Sequence, residues 1–274
     1  MPRVTGLFVY PVKSLRGHSL SVADFDALGF VGDRRFLVTD STGKFITQRT
    51  VPRMAQIETS LSADQLVLSA AKAGRVTVPR SSQPDAPLHS VTVWKSENLQ
   101  AEDCGVAVST WLSDFLGLPC HLVRIGREFR RPILKPSAQP GDAVSFADAY
   151  PFLLIGQGSL AELNDRIQEN QGEAVPMNRF RPSIVVEGCA PFAEDHWTRF
   201  RIGEATFRNG GLCARCIVTT TDQFTGERLG KEPLRTLATF RRDAKDPTDV
   251  NFGTNLIHET KQGTLRIGDT VTFL

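Results

Sequence analysis

Short β-branched and aromatic runs, each closed by turn residues, dominate this chain. Val4–Tyr10, Phe36–Thr39, Leu66–Leu68, Arg75–Val78, Ser90–Val93, Ile184–Val186, Ala205–Phe207, Ile217–Thr221 and Thr270–Leu274 predict strands. Helical periodicity is rarer. Val108, Trp111, Leu112 and Phe115 recur at helical spacing between Val106 and Leu116, and Gly117 and Pro119 stop that helix. A second helix is expected to open at Ser159, where Ser159 and Glu162 read as a capping box ahead of Leu160, Leu163 and Ile167. A third follows Pro233, from Leu234 to Phe240.

Strands and helices do not alternate, and no Gly-x-Gly-x-x-Gly follows a strand. The pattern therefore predicts a mainly β architecture with a few covering helices (α+β), a barrel or a sandwich. The Pro- and Arg-rich stretch Gly126–Gly141 has poor periodicity and reads as an internal boundary; Asn251–Lys261 reads as irregular.

At 274 residues the chain holds one large domain or two modest ones, without needing a disulfide or metal staple. A net charge of +2 argues against a general nucleic-acid binder. Apolar stretches such as Phe152–Ile155 fall far short of the roughly 20 residues that span a bilayer. With no signal-type N-terminus, a cytoplasmic protein without a membrane partner is expected. Five cysteines form no disulfide framework, and Cys104, Cys120 and Cys189 are expected to be small buried residues.

The densest chemistry lies in Gly211–Asp222, where Cys213 and Cys216 flank Arg215 and are expected where a loop enters a strand. A lone Cys-x-x-Cys supplies half a zinc site, and a thioredoxin-type role needs a βαβ context. From the residues alone, buried structural cysteines and a functional thiolate stand level. Tyr10-Pro11-Val12-Lys13-Ser14 ends a strand in a turn offering an ammonium, a hydroxyl and N–H donors: a solvated loop, or a grip for phosphate. Asp33-Arg34-Arg35 and Asn178-Arg179-Phe180-Arg181 add guanidiniums, the latter pair on one face of an extended segment, suited to an anion or to surface ion pairs. Arg127–Lys135 reads as a solvated linker, Asp148 and Asp222 as caps or turn residues with a proton relay as the alternative, and the five histidines receive no chemistry.

The order of these motifs is more specific than any one. Tyr-Pro-Val-Lys-Ser, Asp-Arg-Arg-Phe-Leu-Val, Asn-Arg-Phe-Arg-Pro, Cys-x-Arg-Cys-x-x-Thr-Thr-x-Asp and a closing Gly-x-x-x-x-Gly-Asp resemble MOSC-domain proteins carrying the N-terminal MOSC β-barrel domain, in particular the amidoxime reducing components and their bacterial relatives. The resemblance spans nearly the whole chain. It implies an N-terminal β-barrel domain over 1–123, a MOSC domain over 124–274, and the pterin-based molybdenum cofactor with Cys216 as metal ligand and catalytic centre. Cys213 is the fallback ligand. Cofactor contacts fall by the same resemblance on Lys13, Ser14, Arg34, Arg179, Arg181, Ala214 and Arg215, with Arg215 expected to hold Cys216 deprotonated. At Ala149 and Tyr150 the chain departs from the small hydroxyl residues usual there.

The implied reaction reduces hydroxylamines, amidoximes and N-hydroxylated base analogues. Two electrons and two protons convert the N-hydroxy group to amine or amidine and water. No Cys-x₄-Cys-x₂-Cys spacing is present, so electrons are expected from a separate flavin reductase, ferredoxin or cytochrome-b5-like protein. The rival implication is a carrier of the cofactor, or of a persulfide on Cys216 or Cys213, without turnover.

Overall fold

A computed structural model describes residues 1–228 and 230–274. In the first half lie β1 (Arg3–Val9), β2 (His18–Leu20), β3 (Val22–Asp26), β4 (Gly29–Phe30), β5 (Phe36–Thr39), β6 (Glu58–Leu61), β7 (Gln65–Ala70), β8 (Gly74–Pro79), β9 (Leu88–Val93), β10 (Ser96–Asp103), α1 (Val106–Leu116) and β11 (His121–Ile125). The second half contributes β12 (Phe152–Gly156), α2 (Gln157–Glu169), β13 (Ile184–Glu187), β14 (Arg199–Ile202), β15 (Ala205–Ala214), α3 (Leu234–Phe240), β16 (Asn251–His258), β17 (Gly263–Arg266) and β18 (Val271–Phe273). The protein is mainly β with few helices, as the run of short branched and aromatic segments predicts.

An eight-stranded sheet, ordered β18-β14-β15-β16-β12-β13-β1-β2, forms the frame. β1 pairs antiparallel with β13, and β3 pairs with β17, so the first thirty residues are built into the strands of the second half. Sheets β5-β11-β10-β9 and β6-β7-β8 carry the rest of the first half. Phe25, Phe30, Phe152, Phe200 and Phe207 fill the core beneath the large sheet with edge-to-face and tilted ring contacts. Each such buried side chain stabilises by about 1.5–3 kcal/mol. Helix α1 runs as its periodicity predicts, burying Val108, Leu112 and Phe115 and closing on Gly117 in the left-handed conformation (φ 74°).

Several expectations need correction, among them three buried cysteines: Cys120 is buried, but Cys104 and Cys189 are only half-buried. Asn251–Lys261 is not irregular: its first eight residues form β16, central between β15 and β12. Both faces are covered, so polar and apolar residues alike are buried and no alternation shows. Its buried polar side chains find partners inside the fold, Thr254 Oγ1 donating to Glu194 O at 3.2 Å and Asn251 Nδ2 to Asp243 at 2.9 Å, while His258 Nδ1 stays unpaired. Ile217–Thr221 is not a strand; Ile217–Thr220 is a 3₁₀ turn whose threonine hydroxyls bond back to carbonyls three residues earlier, Thr219 to Cys216 O at 2.9 Å and Thr220 to Ile217 O at 2.8 Å. These local bonds outweigh the β preference of the branched side chains.

Helix α2 begins at Gln157, two residues before the expected capping box. Ser159 Oγ instead donates to buried Glu194 at 2.6 Å, while Glu162 pairs with Arg166 at 2.7 Å. Finally, the Arg127–Lys135 run is not wholly a solvated linker. Arg131 is 4 % exposed, with Nη1 donating to Ser145 O at 2.6 Å and Nη2 to Asp148 O at 2.9 Å.

Candidate functional site

Six segments meet at the site: the turn after β1, the turn before β5, the loop after β5 that carries Thr47 and Arg49, residues 147–151 before β12, residues 179–183 before β13, and the end of β15. They enclose a cleft of about 910 Å³, open mouth included. All ten residues singled out from sequence line it: Lys13, Ser14, Arg34, Ala149, Tyr150, Arg179, Arg181, Ala214, Arg215 and Cys216.

The two thiols do not stand where a loop enters a strand; they follow one. β15 carries bulges at Asn209–Gly211 and Leu212–Ala214, which bend its end into the cleft. Cys213 lies on this bent end, and Cys216 caps the following 3₁₀ turn with extended backbone (φ −122°). Both are half-buried. Arg215 does not serve Cys216: its Nη1 donates to Cys213 Sγ at 2.8 Å and its Nη2 to Phe180 O.

Lys13 Nζ is buried, donating to Phe146 O at 2.9 Å and to the Asp148 carboxylate. Burial pushes this ammonium down from 10.5 to about 8, against the opposing pull of Asp148. The Lys13 backbone N–H is engaged by Phe36 O at 3.0 Å, so this turn offers an anion its ammonium and not that amide. Asp148 is therefore an ion-pair partner in the cleft wall rather than a cap, also accepting from Trp94 Nε1 at 3.0 Å. Asp222 does take a turn role, accepting the N–H groups of Phe224 and Thr225 at 2.8 and 2.9 Å.

Arg179 and Arg181 do not share a strand face. Arg179 ends a 3₁₀ turn (Met177–Arg179), and Arg181 sits at φ 54°. Both still reach the cleft. Arg34 (φ 46°) and Ser14 (φ 68°) share that left-handed backbone, which costs a non-glycine residue about 1–3 kcal/mol and concentrates at functional sites. Arg34 and Arg181 both stack on the Tyr10 ring, their guanidinium carbons 4.3 and 4.2 Å from its centre. Its hydroxyl donates to Pro182 O at 3.1 Å, and burial pushes its pKa up to about 12.

The lining carries six cations, Lys13, Arg34, Arg49, Arg179, Arg181 and Arg215, against the single carboxylate of Asp148. Among the described residues, buried Arg179 Nε, Arg181 Nη2 and Arg215 Nε have no hydrogen-bond partner. An orphaned buried donor costs about 1–3 kcal/mol, which an anionic ligand offering acceptor oxygens recovers. A thiol at the rim and unsatisfied guanidinium donors within suit a cofactor that is phosphorylated at one end and takes sulfur ligation at the other.

From sequence, Arg49, Trp94 and Asn255 are not singled out for the site, Tyr10 enters only as part of the first turn motif, and Asp148 has a site role only as the alternative to a cap. Asp148 was the most accessible of these, one residue before Ala149. The others needed tertiary pairing to be seen.

Residues 1–119 match the MOSC N-terminal beta barrel domain and residues 141–272 the MOSC domain. The chain is 34% identical over 286 residues to mitochondrial amidoxime-reducing component 1 of Homo sapiens, covering 99% of this chain and 82% of that protein. The chain belongs to the MOSC family. A second MOSC relative, mitochondrial amidoxime reducing component 2 of Homo sapiens, is 32% identical over 98% of this chain and 82% of its own length. The molybdenum cofactor sulfurase of Oryza sativa subsp. japonica is 30% identical over 86% of this chain and 30% of its own. Among the described residues no helix is long and apolar enough to cross a membrane.

Proposed function

We propose that this MOSC protein is a molybdenum-cofactor-dependent oxidoreductase that reduces N-hydroxylated compounds. The observation that carries this reading is the cleft itself, where three guanidiniums with orphaned buried donors face a half-buried cysteine. The naming of its relatives for amidoxime reduction supports the substrate class.

In this reading Cys216 holds the metal, and Lys13, Ser14, Arg34, Arg179, Arg181 and Arg215 hold the pterin phosphate end, with Ala149, Tyr150 and Ala214 shaping the wall. When bound, the cofactor supplies the two-electron change at molybdenum. The chain's own contribution is orientation and charge: Tyr10 fixes the spacing of Arg34 and Arg181, and Arg131 anchors the segment that carries Asp148. Asp148, largely exposed at the mouth, is held ionised well below the usual carboxylate range by the Lys13 ammonium and the Trp94 N–H, so its part is to fix Lys13 in the cleft wall rather than to supply a proton.

Residues 1–123 and 124–274 are taken as the two domains, with β1 to β4 shared into the second. Electrons come from a separate flavin reductase, ferredoxin or cytochrome-b5-like donor. Five unpaired thiols fit a reducing compartment, and a cytoplasmic site is part of the proposal, although the reductase relatives are named mitochondrial. The test is reduction of an amidoxime by cofactor-loaded protein with a competent donor. Protein holding one molybdenum and pterin per chain yet inert toward amidoximes and hydroxylamines overturns the reading.

The contact of Arg215 with Cys213 favours one alternative, a persulfide or cofactor carrier without turnover, and the likeness to a relative named molybdenum cofactor sulfurase supports sulfur handling. It predicts sulfur loading that depends on Cys213 and no N-hydroxy reduction.

A further inference from the structure

Two histidines on different strands share one carboxylate, far from the motifs that mark the cleft. In the register of the four-stranded sheet, His89 of β9 faces Ala101 of β10, and Asp103 of β10 faces Val123 of β11. Side chains two residues apart share a face, so His89, Asp103 and His121 project together at one end of that sheet. His89 Nε2 lies 3.4 Å and His121 Nδ1 3.9 Å from the same oxygen, Asp103 Oδ2. The three ligand atoms all lie within 4.8 Å of one another, and all three residues are half-buried.

We propose that His89, Asp103 and His121 form a binding site for a borderline divalent transition metal of the zinc class, pinning edge strand β9 to β10 and β11. Tetrahedral ligation at about 2.0–2.1 Å sets ligand atoms roughly 3.3 Å apart, against 3.4 and 3.9 Å here from the two imidazoles to Asp103 Oδ2, so a small side-chain adjustment closes the site. Two imidazoles and a carboxylate are a donor set suited to such ions, and a water completes the fourth position. The carboxylate is already aimed: Asp103 Oδ1 accepts the Gly105 N–H at 2.5 Å, ahead of α1, which turns Oδ2 toward both rings. Outer bonds of this kind orient metal ligands. A surface ion pair needs one imidazole. The second, brought in from another strand to the same oxygen with the rings 5.5 Å apart at 74°, is what a metal requires. None of the three lines the cleft, so this site stands apart from the proposed reductase chemistry.

The test is titration of the purified protein with Zn²⁺ against a chromophoric chelator, comparing His89→Gln and His121→Gln. The half-exposed histidine positions tolerate both changes, and thermal melts in metal-free buffer check this. The expected result is one zinc per chain whose affinity falls at least about tenfold in each variant, the scale on which even outer-shell partners act. The native melting temperature should rise with zinc and the variants' should not. Co²⁺ in place of Zn²⁺ separates this site from the cleft thiols: a visible band without thiolate charge transfer, lost in both variants, is expected. A loss smaller than tenfold in either variant, or a Co²⁺ spectrum carrying only thiolate character, overturns the proposal.

Discussion

The Nη1 of Arg215 donates to the sulfur of Cys213 at 2.8 Å, so the cation nearest the pair serves the first thiol, not the second. Among the described residues the Cys216 sulfur has no hydrogen-bond partner, while its carbonyl is fixed by the Thr219 N–H at 3.0 Å. The two cysteines thus have different chemistry: one sulfur is engaged, the other is positioned and free to bind. Cys216→Ser should lose molybdenum and lower amidoxime reduction at least about 100-fold, beyond the usual effect of an outer-shell partner. Cys213→Ala should keep the metal and stay within about tenfold of native activity. Metal content and turnover of the two variants, measured side by side, decide this.

Lys13 makes anion binding depend on pH. Burial holds its ammonium at about 8 in the folded chain, against 10.5 when exposed. Above pH 8 the free cleft loses this charge, and binding a phosphate must then take up a proton. Retention of the pterin cofactor should weaken as pH rises past 8, by up to about tenfold per unit. Stability of the cofactor-free protein runs the other way. Between about pH 8 and 10.5 the unfolded chain binds more protons at this site, so the Lys13 contribution is fully present above 10.5 and is lost as pH falls through 8. Lys13→Met should weaken retention about 10–100-fold, the worth of a charged hydrogen bond, and flatten both trends. Pterin fluorescence after gel filtration across pH, with urea melts of the empty protein, reads both signs.

The β character and helices α1 and α3 were legible because their signals are local: branched runs between turn residues, and apolar positions at helical spacing. β16 was not legible, because a strand covered on both faces carries no alternation and Asn251, Thr254 and His258 find partners only through the fold. The threonines after Cys216 misled for the opposite reason, since their hydroxyls close a 3₁₀ turn that no propensity anticipates. At the site, every residue that motif order names lines one cleft, yet the order does not say how those residues pair or which others, such as Arg49 and Asn255, join them. The role of Asp148 depends on Lys13, 135 residues away, the Tyr10 stacking on two arginines held at positive φ, and the Arg215–Cys213 contact on the bulged end of β15, none of which is written in spacing.

Tyr10 sets the geometry of two guanidiniums at once. Stacking of an arginine on a tyrosine ring is worth about 0.5–2 kcal/mol, more when water is excluded, and here one ring takes two such contacts. Tyr10→Phe keeps the ring and loses only the bond to Pro182 O, so it should cost about 1 kcal/mol of stability and leave cofactor retention near native. Tyr10→Leu removes both stacks, and cofactor affinity should fall about tenfold or more. A thermal melt and a retention assay separate the two effects, and equal loss of cofactor in both variants would contradict the clamp.

Arg131 lies outside the cleft lining and acts on it through backbone. Its guanidinium gathers the carbonyls of Ser145, Ala147 and Asp148, the segment that also presents Phe146 O and the Asp148 carboxylate to Lys13. Burial lowers its pKa only to about 10, so it stays charged through neutral pH. Replacing it with Met keeps the volume and leaves buried carbonyls without donors, each costing about 1–3 kcal/mol. Arg131→Met should therefore destabilise the fold by several kcal/mol at most. It should also loosen residues 145–148, so that Lys13 loses its fixed partner and its titration moves. Arg131→Lys restores the charge but not the fork that reaches three carbonyls, and should recover little of either property. Urea unfolding with hydrogen exchange of the 145–148 amides checks the prediction: native-like protection there in Arg131→Met would show that the segment holds its shape without the guanidinium.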